Sequence, residues 1–159
     1  MSSNNLLEVK GLKKYFPIQK GFWRRSAVKY VKAVDDVNFY IKPGETLGLV
    51  GESGSGKTTT GRAILRAVES TEGEIFFNVN DNPVDVSKLD RKGLKEARRY
   101  MQMIFQDPYS SLNPRMTVKE IIGEPLLVNG IAKGKGLEDI VAKLMREVGL
   151  RPEYMIRYP

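Results

Sequence analysis

The residue run Gly51-Glu52-Ser53-Gly54-Ser55-Gly56-Lys57-Thr58 states its chemistry most openly. It satisfies G-x-x-x-x-G-K-[ST] at every defined position, the pattern of a phosphate-binding loop. Gly51, Gly54 and Gly56 let the backbone turn where a Cβ would clash. Successive backbone N–H groups then face inward toward phosphate oxygens. A helix starting at the end of the loop adds its own unpaired N–H groups and its positive end. Lys57 is placed to reach terminal phosphates and the Thr58 hydroxyl to hold Mg²⁺. A dinucleotide fingerprint does not fit, because G-x-G-x-x-G would need glycine at Thr59.

Such a loop needs a strand before it and a helix after it. The apolar run Thr46 to Val50 predicts a buried strand, and Thr58 to Val68 a helix with Ile64, Leu65 and Val68 inward. Leu6 to Val9 predicts a short strand, and Pro17 the end of any regular element. Residues 17–32 read as an exposed loop or hairpin, and an alternating stretch runs from Tyr30 to Ile41. Lys42-Pro43-Gly44-Glu45 is a turn signal. Further on, Glu74 to Val79 predicts a strand, residues 80–83 a turn, Leu94 to Arg99 a short helix and Met101 to Phe105 a buried strand. Thr117 and Glu120 form a capping box opening a helix that Gly123 and Pro125 make irregular. Gly130, Gly134 and Gly136 mark a connection. Leu137 to Val148 is the cleanest amphipathic helix, with Gly149 as its cap. The fold class is therefore α/β: a P-loop NTPase core with N-terminal antiparallel β strands and the start of a helical subdomain.

Composition removes several kinds of chemistry. The chain has 159 residues, no cysteine and no histidine. Disulfides, thiolate zinc sites and histidine general bases are excluded within it. No apolar run is long enough for a transmembrane helix, and the first ten residues lack the pattern of a secretory signal. The net charge of +7 is concentrated: residues 1–34 carry eight Lys/Arg against Glu8 alone, while the remainder carries 18 of each sign. That basic segment suits nucleic acid, anionic lipid, nucleotide phosphate or simply solvent.

A phosphate-loop nucleotidase also needs an acidic Mg²⁺ ligand at a strand end and a group to orient water. No run of four apolar residues followed by Asp or Glu occurs after residue 100. Phe105-Gln106-Asp107 comes nearest. Gln106 could orient water or touch Mg²⁺ through its amide, or be one half of a turn pair before Pro108.

Taken together, the segments LKKYFPIQKGFWRR, YVKAVDDVNFYIKPGETLGLVGESGSGKTTTGRAIL, EARRYMQMIFQDPYSSLNPRMTV and GLRPEYMIRYP resemble the nucleotide-binding subunit of ATP-binding-cassette transporters, most closely the dipeptide/oligopeptide importer ATPases. The resemblance covers all 159 residues and about the first half of such a subunit. It implies residues 1–108 as a nucleotide-binding core and 109–159 as the start of a helical subdomain, ending before the family's signature motif. It implies ATP and Mg²⁺ as cofactors, Ser53 to Thr59 (with Ser55 among them) as the phosphate and Mg²⁺ contacts, Phe16 as the adenine-stacking residue with Tyr15 the alternative, and Gln106 as the glutamine that senses γ-phosphate and Mg²⁺. Lys57 and Gln106 are the implied catalytic residues, and Thr58 and Gln106 the implied metal ligands. Trp23 and its basic neighbours match a longer loop of the peptide-importer branch.

The implied partners are transmembrane permease subunits, contacted by Tyr109 to about Val128, and a second ATP-binding subunit, identical or not. The implied location is the cytoplasmic face of the plasma membrane of a bacterium or archaeon, peripheral and without solute contact. ATP hydrolysis driving import is expected of the full-length protein, and weak binding without meaningful turnover of this chain alone. Two other readings stand beside it: an ATPase of the same type acting on nucleic acid or in translation, and another P-loop class such as a kinase or GTPase, for which lid and guanine-reading residues are missing.

Overall fold

The computed structural model describes residues 5–18, 29–79, 82–107 and 111–159. Two compact units divide the chain at Met103/Ile104. The first holds β1 (Leu7–Ile18), β2 (Lys29–Ile41), α1 (Lys57–Ile64), β3 (Glu72–Val79), β4 (Asn82–Asp85) and α2 (Arg91–Ala97); the second holds α3 (Val118–Val128) and α4 (Gly134–Glu147). Single 3₁₀ turns lie at Val86–Lys88 and Pro152–Ile156. Trp23, its basic neighbours and Tyr109 lie outside the described residues.

The sheet is antiparallel throughout, in the order β2-β1-β3-β4. Leu7, Val9 and Leu12 of β1 are buried, so the inward alternation slips by one residue between Val9 and Leu12. Gly11 absorbs the slip: it adopts φ +56° at a β-bulge, and its N–H donates to Asn38 Oδ1 at 2.7 Å. With Val34, Ile75, Phe77 and Val86, these side chains close on Ala63 of α1. The core of this unit thus lies between one sheet face and the helix that follows the glycine loop.

Several sequence expectations are corrected. Leu6 to Val9 is not a short strand but the start of a twelve-residue one. Pro17 does not end it: β3 leaves β1 at Lys13↔Glu72, so beyond that point β1 pairs only with β2, and a residue without an N–H is tolerated at such an edge. Pro83 lies in the edge strand β4 for the same reason. The largest corrections are the runs 46–50 and 101–105, neither of which is a strand. Val50 is 93% and Ile104 95% exposed. A strand exists only through a hydrogen-bonded neighbour, and a fully apolar one needs cover on both faces. No described residue supplies that pairing to either run. Among the described residues, the phosphate loop consequently follows a segment without strand pairing rather than a strand end.

In the second unit, α3 opens on the expected capping box: Glu120 N–H donates to Thr117 Oγ1 at 3.3 Å, and Thr117 N–H to Glu120 Oε2 at 2.7 Å. Leu137, Val141 and Met145 of α4 are buried against Val118, Ile122 and Leu126 of α3, with Tyr154 and Met155 closing the cluster. Gly123 permits the approach, since a Cβ there would lie 2.9 Å from Leu137 Cδ2. Gly134 and Gly136 form the first turn of α4 rather than a connection, and Leu144 and Val148 of its apolar stripe are exposed.

Candidate functional site

The glycine loop turns as its sequence requires. Gly54 has φ +82° and Gly56 φ +96°, both in the left-handed region. Gly56 is also packed tightly: a Cβ there would lie 2.0 Å from the Ala33 carbonyl oxygen of β2. Only glycine fits a backbone that close. Gly51 is pressed against Ser55, whose Oγ would be 2.7 Å from an added Cβ. Ser55 N–H donates to the Glu52 carbonyl at 3.2 Å, closing the turn.

α1 begins at Lys57 with Gly56 as its N-cap, and no side chain caps it. Its first-turn N–H groups therefore keep their donor capacity. Thr60 is the first residue to close the helical ladder, donating its N–H to the Gly56 carbonyl at 2.8 Å and its hydroxyl to the same oxygen at 3.0 Å. Lys57 folds back over the loop. Its Nζ donates to the carbonyl oxygens of Gly51 and Glu52, each at 2.6 Å, and lies 3.4 Å from Ser55 Oγ. The ammonium thus sits among oxygen acceptors of the loop itself. Ser53 and Thr58 are exposed and Thr59 half-buried; the Thr58 hydroxyl forms no hydrogen bond among the described residues.

The two aromatic candidates differ in their freedom. Tyr15 donates its hydroxyl to Asp35, its N–H meets Thr71 Oγ1 at 2.9 Å, and Lys32 Nζ lies 5.1 Å from its ring centre. The Asp35 hydrogen bond raises the Tyr15 pKa, while the Tyr15 and Lys32 hydrogen bonds lower that of Asp35. Phe16 is 39% exposed, with Lys14 Nζ 4.8 Å from its ring centre. Phe16 is the more exposed of the two rings. Its connection to the loop runs through β2: Phe16 pairs with Val31 and Lys14 with Val34, adjacent to the Ala33 carbonyl against Gly56.

The structure therefore gathers Gly51, Ser53, Gly54, Ser55, Gly56, Lys57, Thr58 and Thr59 into one loop and helix start, backed by the strand pair carrying Tyr15 and Phe16. Gln106 belongs to the second unit, where it is exposed. Sequence reasoning missed Ala33, whose backbone carries the contact and leaves no signature in its side chain. It also missed Asp35 and Lys32, the partners of Tyr15, which lie in the alternating stretch of β2 and were open to notice as a charged pair three residues apart.

Within the first unit, one neutral oxygen donor at the loop is open to a cation. The Thr58 hydroxyl is that neutral donor, and no group of three or more Asp, Glu, His or Cys able to hold a metal occurs among the described residues. That suits a hard cation that keeps most of its water and takes the rest of its shell from phosphate oxygens.

The fold of this chain recurs in solved ATP-binding cassettes. One is a dimeric structure of the ATP-binding cassette MJ0796 in a post-hydrolysis state bound to ADP and Pi, with TM-score 0.72 and 24% identity over 96% of this chain and 61% of that one. Another is cbiO1 from Clostridium perfringens, part of the transporter complex cbiONQ, with TM-score 0.65 and 22% identity over 98% of this chain and 54% of the other. At these identities the likeness establishes the fold, which is that of an ATP-binding cassette. The chain belongs to the ABC transporter family, whose pattern matches residues 34–156.

Among curated relatives, the oligopeptide transport ATP-binding protein OppF of Bacillus subtilis is 50% identical over 99% of this chain and 48% of its own length. The glutathione import ATP-binding protein GsiA of Salmonella typhimurium is 49% identical over 97% of this chain and 24% of its own. The chain thus spans a quarter to a half of the length of these relatives.

Proposed function

We propose that the loop from Gly51 to Thr58 binds the phosphates of Mg-ATP, and that the whole protein hydrolyses ATP to drive import of peptides or related solutes through a membrane transporter. The observation that carries this is the uncapped start of α1 behind a glycine loop, with the Lys57 ammonium folded into its concave face. On binding, Lys57 exchanges the carbonyls of Gly51 and Glu52 for phosphate oxygens. The N–H groups of Gly54 to Thr59 orient the phosphate chain, and the Thr58 hydroxyl holds Mg²⁺. The cation supplies charge neutralisation on the transferring phosphoryl group. Phe16 stacks on the adenine, while Tyr15, held by Asp35, stays fixed beside it.

Gln106 is assigned to sensing the γ-phosphate and to orienting water. Residues 1–108 are assigned to the nucleotide-binding core, and 109–159 to the helical subdomain that meets a transmembrane permease subunit. A second ATP-binding subunit completes the site, at the cytoplasmic face of the membrane. The relatives' names, an oligopeptide transport and a glutathione import ATP-binding protein, favour a peptide-like solute over nucleic acid. No helix among the described residues is long and apolar enough to cross a membrane.

Calorimetry of Mg-ATP binding to the chain and to its Lys57→Ala variant tests the reading. Wild-type binding that falls at least about tenfold in the variant supports it. A folded chain that ignores ATP, or binds equally well without Lys57, overturns it. Binding without meaningful turnover is expected of the 159-residue chain by itself.

A further inference from the structure

We propose that Arg66 and Arg98 form a reciprocal clasp that positions the phosphate-loop helix α1, and so fixes the aim of its anion-binding N–H groups. The proposal rests on the phosphate-loop reading above. It starts from a contrast between two helix ends. α1 and α4 close with the same pair of backbone hydrogen bonds. In α4, Gly149 N–H donates to Arg146 O at 3.0 Å and Leu150 N–H to Met145 O at 2.8 Å. In α1, Arg66 N–H donates to Ala63 O and Ala67 N–H to Arg62 O, both at 2.9 Å. This is the helix-terminating motif whose left-handed residue is ordinarily glycine.

α4 obeys that preference with Gly149 at φ +75°, whereas α1 places Arg66 there at φ +49°. For the backbone alone glycine is the less strained choice. The side chain must supply what glycine cannot.

What it supplies is a tie. Arg66 Nη1 donates to the carbonyl oxygens of Val86 at 3.1 Å and Leu89 at 2.6 Å, on either side of the turn that leads into α2. The tie is returned from the end of α2. Arg98 Nη2 donates to the carbonyl oxygen of Arg66 at 2.8 Å and lies 3.4 Å from that of Leu65. Carbonyls that the end of α1 would otherwise leave to water are thus held by a guanidinium. Two positive charges meet the negative end of the helix dipole. α1 has only eight residues, about 12 Å of length, so a tilt at its C-terminal end redirects the N–H groups of Lys57 to Thr59 at the other. Arg66 and Arg98 are positioning residues; neither touches the loop itself.

The test uses Arg66→Gly, Arg98→Gln, their combination and Lys57→Ala, all in the 159-residue chain. Arg66→Gly keeps the left-handed turn and relieves its strain while removing the tie. Its thermal midpoint is expected to hold or rise, whereas Mg-ATP affinity falls about fivefold and amide exchange at residues 57–60 accelerates without nucleotide. Arg98→Gln is expected to lose a similar factor. The double variant is expected to be little worse than either, since both break one device. Wild-type affinity and wild-type exchange at 57–60 in Arg66→Gly and Arg98→Gln overturn the clasp. Failure of the phosphate-loop reading looks different: Lys57→Ala then binds as the wild type does, or neither binds. In that event the exchange rates at 57–60 still decide the clasp by themselves. Should Arg66→Gly fail to fold, the exposed Arg98 carries the test.

Discussion

The decisive contacts of the site are made by single residues with no slack. Gly56 touches the Ala33 carbonyl through a space that a methyl group would overfill, at a φ that L-residues rarely adopt. Gly56→Ala is therefore expected to cost about 2–4 kcal/mol and to abolish nucleotide binding, measured by denaturant unfolding and titration. Gly54, equally left-handed but open, is expected to tolerate Asn with far less loss. These glycines were legible because motif spacing and backbone conformation agree. The contact that makes Gly56 strict was not, since it runs to a backbone atom. Asp85 gives a pH prediction. Burial pushes its carboxyl up, but hydrogen bonds from Ser87, Lys88 and Ile75 outweigh this and leave its pKa lowered. A carboxylate whose folded pKa is depressed contributes stability above its unfolded pKa and loses it as pH falls through the folded value. Acid unfolding of Asp85→Asn is expected to show a shallower loss below about pH 4 than the wild type. An identical acid limb would contradict it.

Elements, rather than motifs, decide how much of a sequence reading survives. The capping box of α3 and the buried stripe of α4 needed nothing beyond residues three or four apart, and both were readable. Thr117→Ala is expected to cost about 1 kcal/mol by chemical denaturation. Met145→Ala, at a fully buried position, is expected to cost about 2–5 kcal/mol. The runs 46–50 and 101–105 show the opposite case. Their hydrophobicity and β-branched content give a strand preference, but a strand is a relation between segments, and neither finds a paired neighbour among the described residues. The slip at Gly11 was hidden for a similar reason. Alternation can be read along one strand, whereas a bulge is defined against its partner.

For the whole molecule, two units with separate cores carry different parts of the proposed work. Leu7, Val9, Leu12, Ile75 and Ala63 hold the unit that contains the phosphate loop, while Leu137, Val141 and Met145 hold the helical one. The family was legible from FQDPYSSLNPRMTV and the loop together, because long strings at fixed spacing survive where local structure is ambiguous. The catalytic half of the chemistry was not, since the sequence has no histidine and no run of four apolar residues followed by Asp or Glu after residue 100. The central claim is that the loop from Gly51 to Thr58 is where ATP phosphates bind. Its most direct measurement is a titration of the ¹⁵N-labelled chain with Mg-ATP, following the backbone amide resonances. The expected result is that the largest shifts fall on Gly54, Gly56, Lys57 and Thr58, with smaller ones at Phe16. Shifts confined to other residues of a folded chain, or none at all, would contradict it.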